Sequence, residues 1–310
     1  MKKIVCIVGP TACHKTDTAI ALAKHLQTEI VSADSVQVYI GMDIGSAKPT
    51  AAEQEGIVHH MIDCLPIDTP SFSVSQYREM AMEAIDNLHV RGKTPIVVGG
   101  SGLYIQSLIN PLNFAIPANP TIRAEWDDVY QNDRDAALKQ LVACDPMTAA
   151  RLHPNDRKRI VRALEVYFTA GRPLSSYGND FANTQGNPPP YTPVMIGLDM
   201  ERASLYERID RRVDHMMEKG LLQEAERIYH KGYSRSLPAM QSIGYQQLFT
   251  YFDGACTLDE AVTNIKMDTR HFAKRQLTWF KRDLRTQWFD VTNYEDSTLL
   301  SIQKAVVEGL

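Results

Sequence analysis

The hydrophobic pattern of the chain alternates between short apolar runs and longer segments with helical spacing. Strand-sized runs occur at 4–8, 29–32 and 95–98, and helical spacing is found around 19–23 and from 75 to 88. Strand-sized runs that alternate with helices are typical of proteins with a parallel sheet. We therefore predict an α/β fold in which helices flank a parallel sheet.

The middle of the chain has a different pattern. Between 117 and 192 the apolar positions mark several helical segments, and the next strand-sized run comes at 194–198. The stretch 171–193 is rich in glycine, proline, asparagine and serine, which is typical of a flexible connection. We predict an all-helical insertion at 117–192 between two parts of one α/β core, 1–116 and 193–310.

The first apolar run leads into a loop whose side chains suit a phosphate group. This loop consists of Gly9, Pro10, Thr11, Ala12, Cys13, His14, Lys15 and Thr16. Backbone N–H groups at a helix N-terminus bind anions, while Lys15 adds a positive charge and Thr16 a hydroxyl for magnesium. His14 replaces the second glycine of the G-x-x-x-x-G-K-[ST] pattern, where glycine lets the backbone approach the phosphate closely. The alternative is an ordinary strand-to-helix turn with a solvated lysine.

Polar residues also follow the second and third strands. Asp34 and Ser35 follow the second, and the glycine-rich turn that contains Ser101 follows the third. If the strands are parallel and the first two are neighbours, Asp34 and Ser101 reach the edge that carries the phosphate loop. A helix cap or Asx-turn at Asp34 and a simple tight turn at Ser101 are the alternatives. We interpret the polar segment 36–49 as a loop that lines a site.

The composition is that of a globular protein with a formal net charge of -4. An anionic partner must therefore be met by local basic clusters. The five cysteines lack a C-x-x-C pair, which argues against a disulfide framework and favours a reducing cytoplasm. No apolar stretch approaches the length of a membrane span. His59 and His60 are adjacent on an extended segment and point to opposite faces, so we interpret them as structural residues and not as metal ligands.

Three groups of basic residues are candidates for binding an anionic partner. The groups are Lys158 with Arg159 and Arg162, Arg208 with Arg212, and seven basic residues at 264–285. Cations along one helix face are typical of nucleic-acid binding. The alternative is an amphipathic helix with solvated charges, and for the aromatic residues at 264–285 we favour burial in the core.

Six segments of the chain, in order, resemble the tRNA dimethylallyltransferase family. They are GPTACHKT at 9–16, DSVQVYIGMDIGSAKP at 34–49, GGSGLY at 99–104, KRIVRALEV at 158–166, SIGYQQ at 242–247 and TRHFAKRQLTWF at 269–280. The resemblance implies a P-loop NTPase-like core, with a loop of the nucleotide-binding (ATP-binding) type, and an inserted domain that grips the anticodon stem-loop of tRNA. The implied reaction moves a dimethylallyl group from dimethylallyl diphosphate to the exocyclic N6 amine of the adenosine 3′ to the anticodon. On this resemblance, we expect the protein to be a monomer in the cytoplasm.

The same resemblance implies roles for individual residues. The catalytic residues would be Asp34 as the general base, Lys15 facing the leaving diphosphate and Ser101 lining the reaction channel, and Mg²⁺ would be bound at Thr16. The diphosphate would be bound by the loop from Gly9 to Thr16 and by Arg212. Contacts to tRNA would come from Asp34, Ser35, Val36, Gln37, Ser101, Arg123, Lys158, Arg159 and Arg162.

The implied chemistry asks for these groups. An exocyclic amine is a weak nucleophile, so a carboxylate must accept its proton, and the leaving diphosphate gains charge that cations must stabilise. Because His14 carries a Cβ where the pattern has glycine, we expect weaker donor binding than a glycine loop would give. Two other functions stay open at this stage, a small-molecule P-loop kinase and a non-catalytic tRNA-binding paralogue.

Overall fold

The computed structural model describes residues 2–111, 116, 118–177 and 189–310. The chain divides into two compact units, Met1–Ile109 with Pro190–Leu310, and Asn110–Pro189. We call the first the core unit and the second the helical unit.

Among the described residues, the core unit is built around a sheet of six strands whose pairings are all parallel. The strands are β1 (Lys3–Val8), β2 (Ile30–Ser32), β3 (His59–His60), β4 (Ile96–Gly99), β5 (Thr192–Asp199) and β6 (Gln287–Asp290). Their order across the sheet is β3-β2-β4-β1-β5-β6. The predicted parallel α/β fold is confirmed. The assumption that the first two strands are neighbours is wrong, because β4 lies between them.

In the described residues, α-helices make up most of the remaining regular structure. In chain order they are α1 (Lys15–His25), α2 (Val74–Val90), α3 (Gly102–Ile109), α4 (Pro120–Asn132), α5 (Arg134–Cys144), α6 (Pro146–Arg151), α7 (Arg157–Ala170), α8 (Arg202–Glu218), α9 (Leu221–Tyr229), α10 (Tyr245–Phe252), α11 (Leu258–Phe280) and α12 (Asp296–Gly309). Helices α4 to α7 belong to the helical unit and the others to the core unit.

The central strand β1 shows why the core unit has two hydrophobic layers. Side chains alternate between the two faces of a strand. Val5 and Ile7 pack in one buried cluster with residues of α1 and α12, whereas Ile4 and Cys6 pack in another with residues of α2 and α3. All four are fully buried. A strand that is apolar on both faces is typical of a sheet covered by helices on both sides.

Helices α4 to α7 start at residues that the sequence marks clearly. Asn119, Asp133, Asp145 and Asp156 each accept a hydrogen bond from a backbone N–H in the first turn of α4, α5, α6 and α7. Asn and Asp are favoured caps because their side-chain oxygens satisfy N–H groups that the helix leaves unbonded. These caps define where each helix of the unit begins.

The predicted connection at 171–193 is only partly irregular. Leu174–Tyr177 forms a 3₁₀ helix, and β5 already begins at Thr192, which corrects the prediction at both ends. Residues 178–188 of this prediction lie outside the described residues, as does residue 117 at the predicted start of the insertion.

Candidate functional site

The segments that follow β1, β2 and β4 meet at the carboxyl edge of the sheet. Their register brings Val8 opposite Gly99 and Ser32 opposite Val98. Ligands bind at this edge in open α/β sheets. Beyond the strands, Ser35 donates its N–H to Ser101 Oγ at 3.1 Å. Although β1 and β2 are not adjacent, the three polar segments predicted from the sequence therefore share one edge.

The loop between β1 and α1 has the backbone of an anion-binding turn. Ala12 and His14 have φ angles of 64° and 59°, which is the left-handed region. Left-handed residues in a tight turn direct successive N–H groups inward, where they bind anions. Within the loop, Cys13 Sγ donates to the Pro10 carbonyl oxygen at 2.8 Å, and Lys15 Nζ donates to the same oxygen.

A polar cavity of about 180 Å³ lies against this loop. It is lined by Thr11 to Asp17, Ala19, Ser32, Asp34, Gln37, Ser46, Ala47, Pro49, His59, Val98, Gly99, Gly100, Arg208, Arg212, Phe272 and Gln276. The predicted phosphate-loop residues from Thr11 onward thus meet Asp34, Gln37 and Arg212 in one cavity. Gly9, Pro10 and Ser101 are outside the set of described residues that line it.

Two cations in the polar cavity are held in a poorly solvated place. Burial lowers the pKa of Lys15, and burial likewise lowers the pKa of Arg212. Arg212 lowers the pKa of Lys15 further, and Arg208 lowers that of Arg212, while Asp34 favours the charged form of both. Because desolvation and like charge both penalise these cations, an anion bound between them would be strongly stabilised.

Gln276 and Arg208 both hold the phosphate loop, and the sequence interpretation gave a role only to Arg208, as a candidate for binding an anion. Gln276 of α11 accepts the Thr11 N–H at 2.8 Å and donates to the Gly100 carbonyl at 3.2 Å, so it links the two glycine-containing turns. Arg208 of α8 donates to the Ala12 carbonyl at 3.0 Å. Gln276 has helical spacing with the buried residues of α11, which predicts that its side chain is buried as well. Because a buried amide needs polar partners, this spacing could have pointed to a structural role.

Asp34 forms the Asx-turn that was the alternative interpretation of this residue. Its Oδ1 accepts the N–H groups of Val36 at 2.8 Å and Gln37 at 3.2 Å. Both bonds engage Oδ1, so the turn is compatible with a chemical role for the other oxygen. The amide of Gln37 is bonded to the Ser32 hydroxyl at 3.1 Å and to the Ala47 carbonyl at 3.3 Å.

A second, mainly apolar cavity of about 360 Å³ shares walls with the polar cavity. Thr11, Asp34, Ser46, Arg212 and Phe272 line both. Its other lining residues include the predicted Ser35 and Val36, and also Tyr39, Phe72, Tyr104, Val213, Met216, Leu221, Ile243 and Ile265. The arrangement fits a ligand with an anionic head and a short apolar tail, with Asp34 at the junction.

The wall of the apolar cavity is fixed by a buried carboxylate. Glu224 of α9 accepts the N–H groups of Asp43, Ile44 and Gly45 at 3.0–3.1 Å, and the Tyr245 hydroxyl at 2.6 Å. A carboxylate with several donors organises an otherwise irregular loop. Sequence reasoning missed Glu224 because nothing local to α9 shows that it faces a loop some 180 positions away.

In the helical unit, the predicted RNA contacts Arg123 and Arg162 flank a fully buried Glu165. Arg123 Nε lies 2.9 Å from Glu165 Oε2, and Arg162 Nη1 lies 3.0 Å from Glu165 Oε1. Lys158 is exposed, and the exposed Arg159 pairs with Asp156 at 3.1 Å. The first two arginines therefore neutralise a buried carboxylate, whereas Lys158 and Arg159 face solvent.

The basic stripe predicted on α11 is partly internal to the core unit. Arg270 pairs with Asp210, Lys266 with Asp214 at 2.5 Å, and Lys281 with Asp199 at 2.7 Å. Of the aromatic residues, Phe280 is buried, and Phe272 lines both cavities. These ion pairs join α11 to α8 and β5, so only part of the predicted stripe faces solvent.

The residues around the polar cavity fit a magnesium ion held mainly by phosphate oxygens. In the described part of the chain, no group of three or more His, Cys, Asp or Glu side chains is placed to hold a metal. Magnesium with phosphate ligands needs only one or two protein oxygens, and the Thr16 hydroxyl and Asp34 carboxylate both line this cavity. His60 and His59 contact Glu29 and the Ile57 carbonyl, respectively.

No helix in the described ranges is both long enough and apolar enough to span a bilayer.

The parallel sheet with an anion-binding loop after its first strand places the protein in the class of P-loop NTPase-like α/β proteins. Within that class, the family model described as IPP transferase matches residues 37–283. The tRNA dimethylallyltransferase 2 of Geotalea uraniireducens is 46% identical over 291 residues, which are 93% of this chain and 92% of that protein. The chain belongs to the tRNA dimethylallyltransferase family.

Solved structures show the same relationship. The full-length tRNA isopentenylpyrophosphate transferase from Bacillus halodurans is 41% identical, with a TM-score of 0.74 over 99% of this chain and 96% of that one. A eukaryotic dimethylallyltransferase acting on tRNA is 28% identical, with a TM-score of 0.84 over 99% of this chain and 78% of that one.

Proposed function

We propose that the protein transfers a dimethylallyl group from dimethylallyl diphosphate to the N6 amine of the adenosine 3′ to the anticodon in tRNA, releasing diphosphate. The observation that carries this proposal is the junction of the two cavities at Asp34. A polar, cationic cavity suits the diphosphate, and the adjoining apolar cavity suits the dimethylallyl group and the adenine base. Family membership supports the same reaction. A kinase and a non-catalytic paralogue have no such support.

The carboxylate of Asp34 would act as the general base. As the amine nitrogen bonds to the terminal carbon of the dimethylallyl group, the bond from that carbon to the diphosphate oxygen breaks. The nitrogen loses a proton to Asp34, and the bonding electrons leave with the diphosphate. The Asx-turn holds the carboxylate in place through Oδ1, which favours a fixed geometry for proton transfer.

The leaving diphosphate would be stabilised by the phosphate loop. Lys15, Arg212 and the N–H groups of Ala12 to Thr16 would face the charge that develops in the transition state. Magnesium, when bound at Thr16, supplies further positive charge to the phosphate oxygens. Ser101 would act indirectly, because its hydroxyl holds the Asp34–Ser35 segment through the Ser35 N–H.

The helical unit would contact the anticodon stem-loop. Lys158 and Arg159 are exposed cations on α7, which suits phosphate contacts, while Arg123 and Arg162 would contact RNA only with the parts of their guanidinium groups that Glu165 leaves available. In the core unit, Ser35 and Val36 would meet the base that enters the apolar cavity, and Gln37 would contact it from the adjoining polar cavity. We also propose that the protein is a monomer and that it works in the cytoplasm, where its five free cysteines would stay reduced.

The direct test is an assay with purified protein, tRNA, dimethylallyl diphosphate and magnesium, without any nucleoside triphosphate. Digestion of the tRNA and mass spectrometry locate the product. The proposal predicts an N6-dimethylallyl adenosine next to the anticodon, and its absence from a tRNA that has the modifiable adenosine would contradict it. Transfer that requires a triphosphate would favour a kinase-like reaction.

A further inference from the structure

His14, the residue that departs from the phosphate-loop pattern, is held by a segment far away in the sequence. Its imidazole ring stacks on the ring of Tyr294, with centroids 4.4 Å apart and planes 8° from parallel. His14 Nδ1 also lies 2.8 Å from Asp17 Oδ2. Tyr294 belongs to the segment between β6 and α12, in the last part of the chain.

Tyr294 is itself fixed to the first helix. Its hydroxyl lies 2.9 Å from the hydroxyl of Thr18, which is fully buried in α1. The tyrosine therefore contacts the loop through its ring and the helix through its hydroxyl. A displacement of its ring would remove the packing surface of His14 without touching Lys15 or Thr16.

The stacking matters because His14 occupies a left-handed conformation. A residue with a Cβ is disfavoured at a φ of 59°, whereas glycine adopts it freely. The turn at His14 immediately precedes Lys15, so a shift at His14 moves the ammonium group and the N–H groups of the cradle. Side-chain contacts that favour the left-handed conformation therefore keep the anion site in shape.

We propose that Tyr294 is a positioning residue for the diphosphate-binding loop, and that it acts through the ring of His14. The segment that carries Tyr294 thereby stabilises, by side-chain packing, a backbone conformation that glycine would adopt without help. This inference rests on the proposed function, because it assigns the loop to the diphosphate of the donor. It predicts that the contribution of Tyr294 disappears when residue 14 is glycine.

The test is a double-mutant cycle with inorganic pyrophosphate as the probe, in the presence of magnesium, read by calorimetry. In the wild-type background we expect Tyr294→Leu to weaken pyrophosphate binding about three- to tenfold, the range of an aromatic stacking contact. Tyr294→Phe keeps the ring and should stay within about twofold of the wild type. In a His14→Gly background, Tyr294→Leu should change the affinity by less than about twofold.

Kinetics and unfolding separate positioning from a general loss of structure. We expect Tyr294→Leu to raise the KM for the donor while kcat and the affinity for tRNA stay near wild type. Urea unfolding shows whether each variant is folded, and Tyr294→Ala serves as a second variant if the leucine strains the site. Equal losses of pyrophosphate affinity in both backgrounds, or a Phe variant as weak as the Leu variant, would overturn the inference. Failure of the wild type to bind pyrophosphate would instead overturn the proposed donor site and this inference with it.

Discussion

The carboxyl and amino edges of the central sheet differ in how well their buried charges are paired. At the carboxyl edge, Lys15 and Arg212 lie in a cavity where burial lowers the pKa of both. At the amino ends of β2 and β4, the carboxylate of the buried Glu29 forms ion pairs with Arg91 Nη1 at 2.6 Å and Lys93 Nζ at 2.9 Å, and it contacts His60 Nε2 at 2.8 Å. These hydrogen bonds, with that of Arg91 the largest cause, lower the pKa of Glu29 to about 2.

The difference shows which edge stabilises the protein and which edge serves function. In the cluster at the amino edge, Glu29 is paired with nearby basic side chains, so the cluster favours folding. The lowered pKa values of Lys15 and Arg212 mean that their charged forms disfavour the folded state at neutral pH. Charged groups that are unfavourable for folding are found mainly at functional sites. Changes at the carboxyl edge should therefore alter activity more than stability, and changes at the amino edge should do the reverse.

The largest effect is expected from Lys15→Ala. Loss of a desolvated cation that faces an anion weakens binding by roughly two to three orders of magnitude. Pyrophosphate affinity measured by calorimetry should fall by that factor, while the free energy of unfolding stays equal or rises. Lys24→Ala removes an exposed lysine of the same helix and should leave the affinity unchanged. A Lys15→Ala protein that is less stable but binds pyrophosphate normally would show that the two edges do not differ in this way.

Glu29→Gln tests the amino edge. The shift in pKa from 4.5 to about 2 corresponds to about 2–3 kcal/mol of stability at pH 7, with some screening because Arg91 is half exposed. A lowered carboxyl pKa stabilises the folded state above pH 4.5, and this stability is lost as the pH falls from 4.5 towards 2. Urea unfolding should show that loss for the wild type and a flatter profile for the variant, with kcat unchanged. Equal stability of the two proteins at pH 7 would contradict the assignment.

Gln276→Ala should have a smaller effect that involves both stability and binding. The amide links Thr11 to Gly100, so its loss should cost about 1–2 kcal/mol of stability and weaken pyrophosphate binding about tenfold. Gln247→Ala is the matched control, because this buried amide also accepts a backbone N–H, that of Gly244, and donates its own N–H to the Asp268 carboxylate instead of to either turn. Both variants should lose stability, and only the first should lose affinity. Similar affinity losses in the two would show that Gln276 acts only through general stability.

The smallest effect is expected outside the sheet, from Lys158→Ala. An exposed phosphate contact contributes about one unit to the slope of log affinity against log salt concentration. The slope for tRNA binding should fall by about that amount, with pyrophosphate affinity and unfolding unchanged. Lys139→Ala removes another exposed lysine of the helical unit and serves as the control. An unchanged slope would mean that this part of α7 faces only solvent.

The sequence predicted the parts of this fold that depend on local patterns. Apolar runs marked β1, β2, β4 and β5, and the phosphate loop was visible as the strand-loop-helix segment around Lys15. The sheet order was not predictable in this way. Which strand lies beside β1 depends on how α1 and α2 pack, and not on any property of the strands themselves.

The residues that support the candidate site were less accessible to sequence reasoning. Gln276, Glu224 and Tyr294 contact the site from at least 176 positions away along the chain. Glu224 and Tyr294 belong to no motif, and the local pattern of the segment 269–280 assigns no contact to Gln276. Asp34 shows a related difficulty. Its position after a strand predicted both an Asx-turn and a functional carboxylate, and the structure shows the turn without excluding the function.

We propose above all that Asp34 removes the proton of the attacking amine at the junction of the two cavities. The most direct measurement compares kcat for Asp34→Asn with the wild type, together with the tRNA dissociation constant of each. Because asparagine can keep the turn through its side-chain oxygen but cannot accept the proton, we expect kcat to fall by about a hundredfold or more with tRNA affinity nearly unchanged. Near-normal turnover in the Asp34→Asn protein would contradict the account.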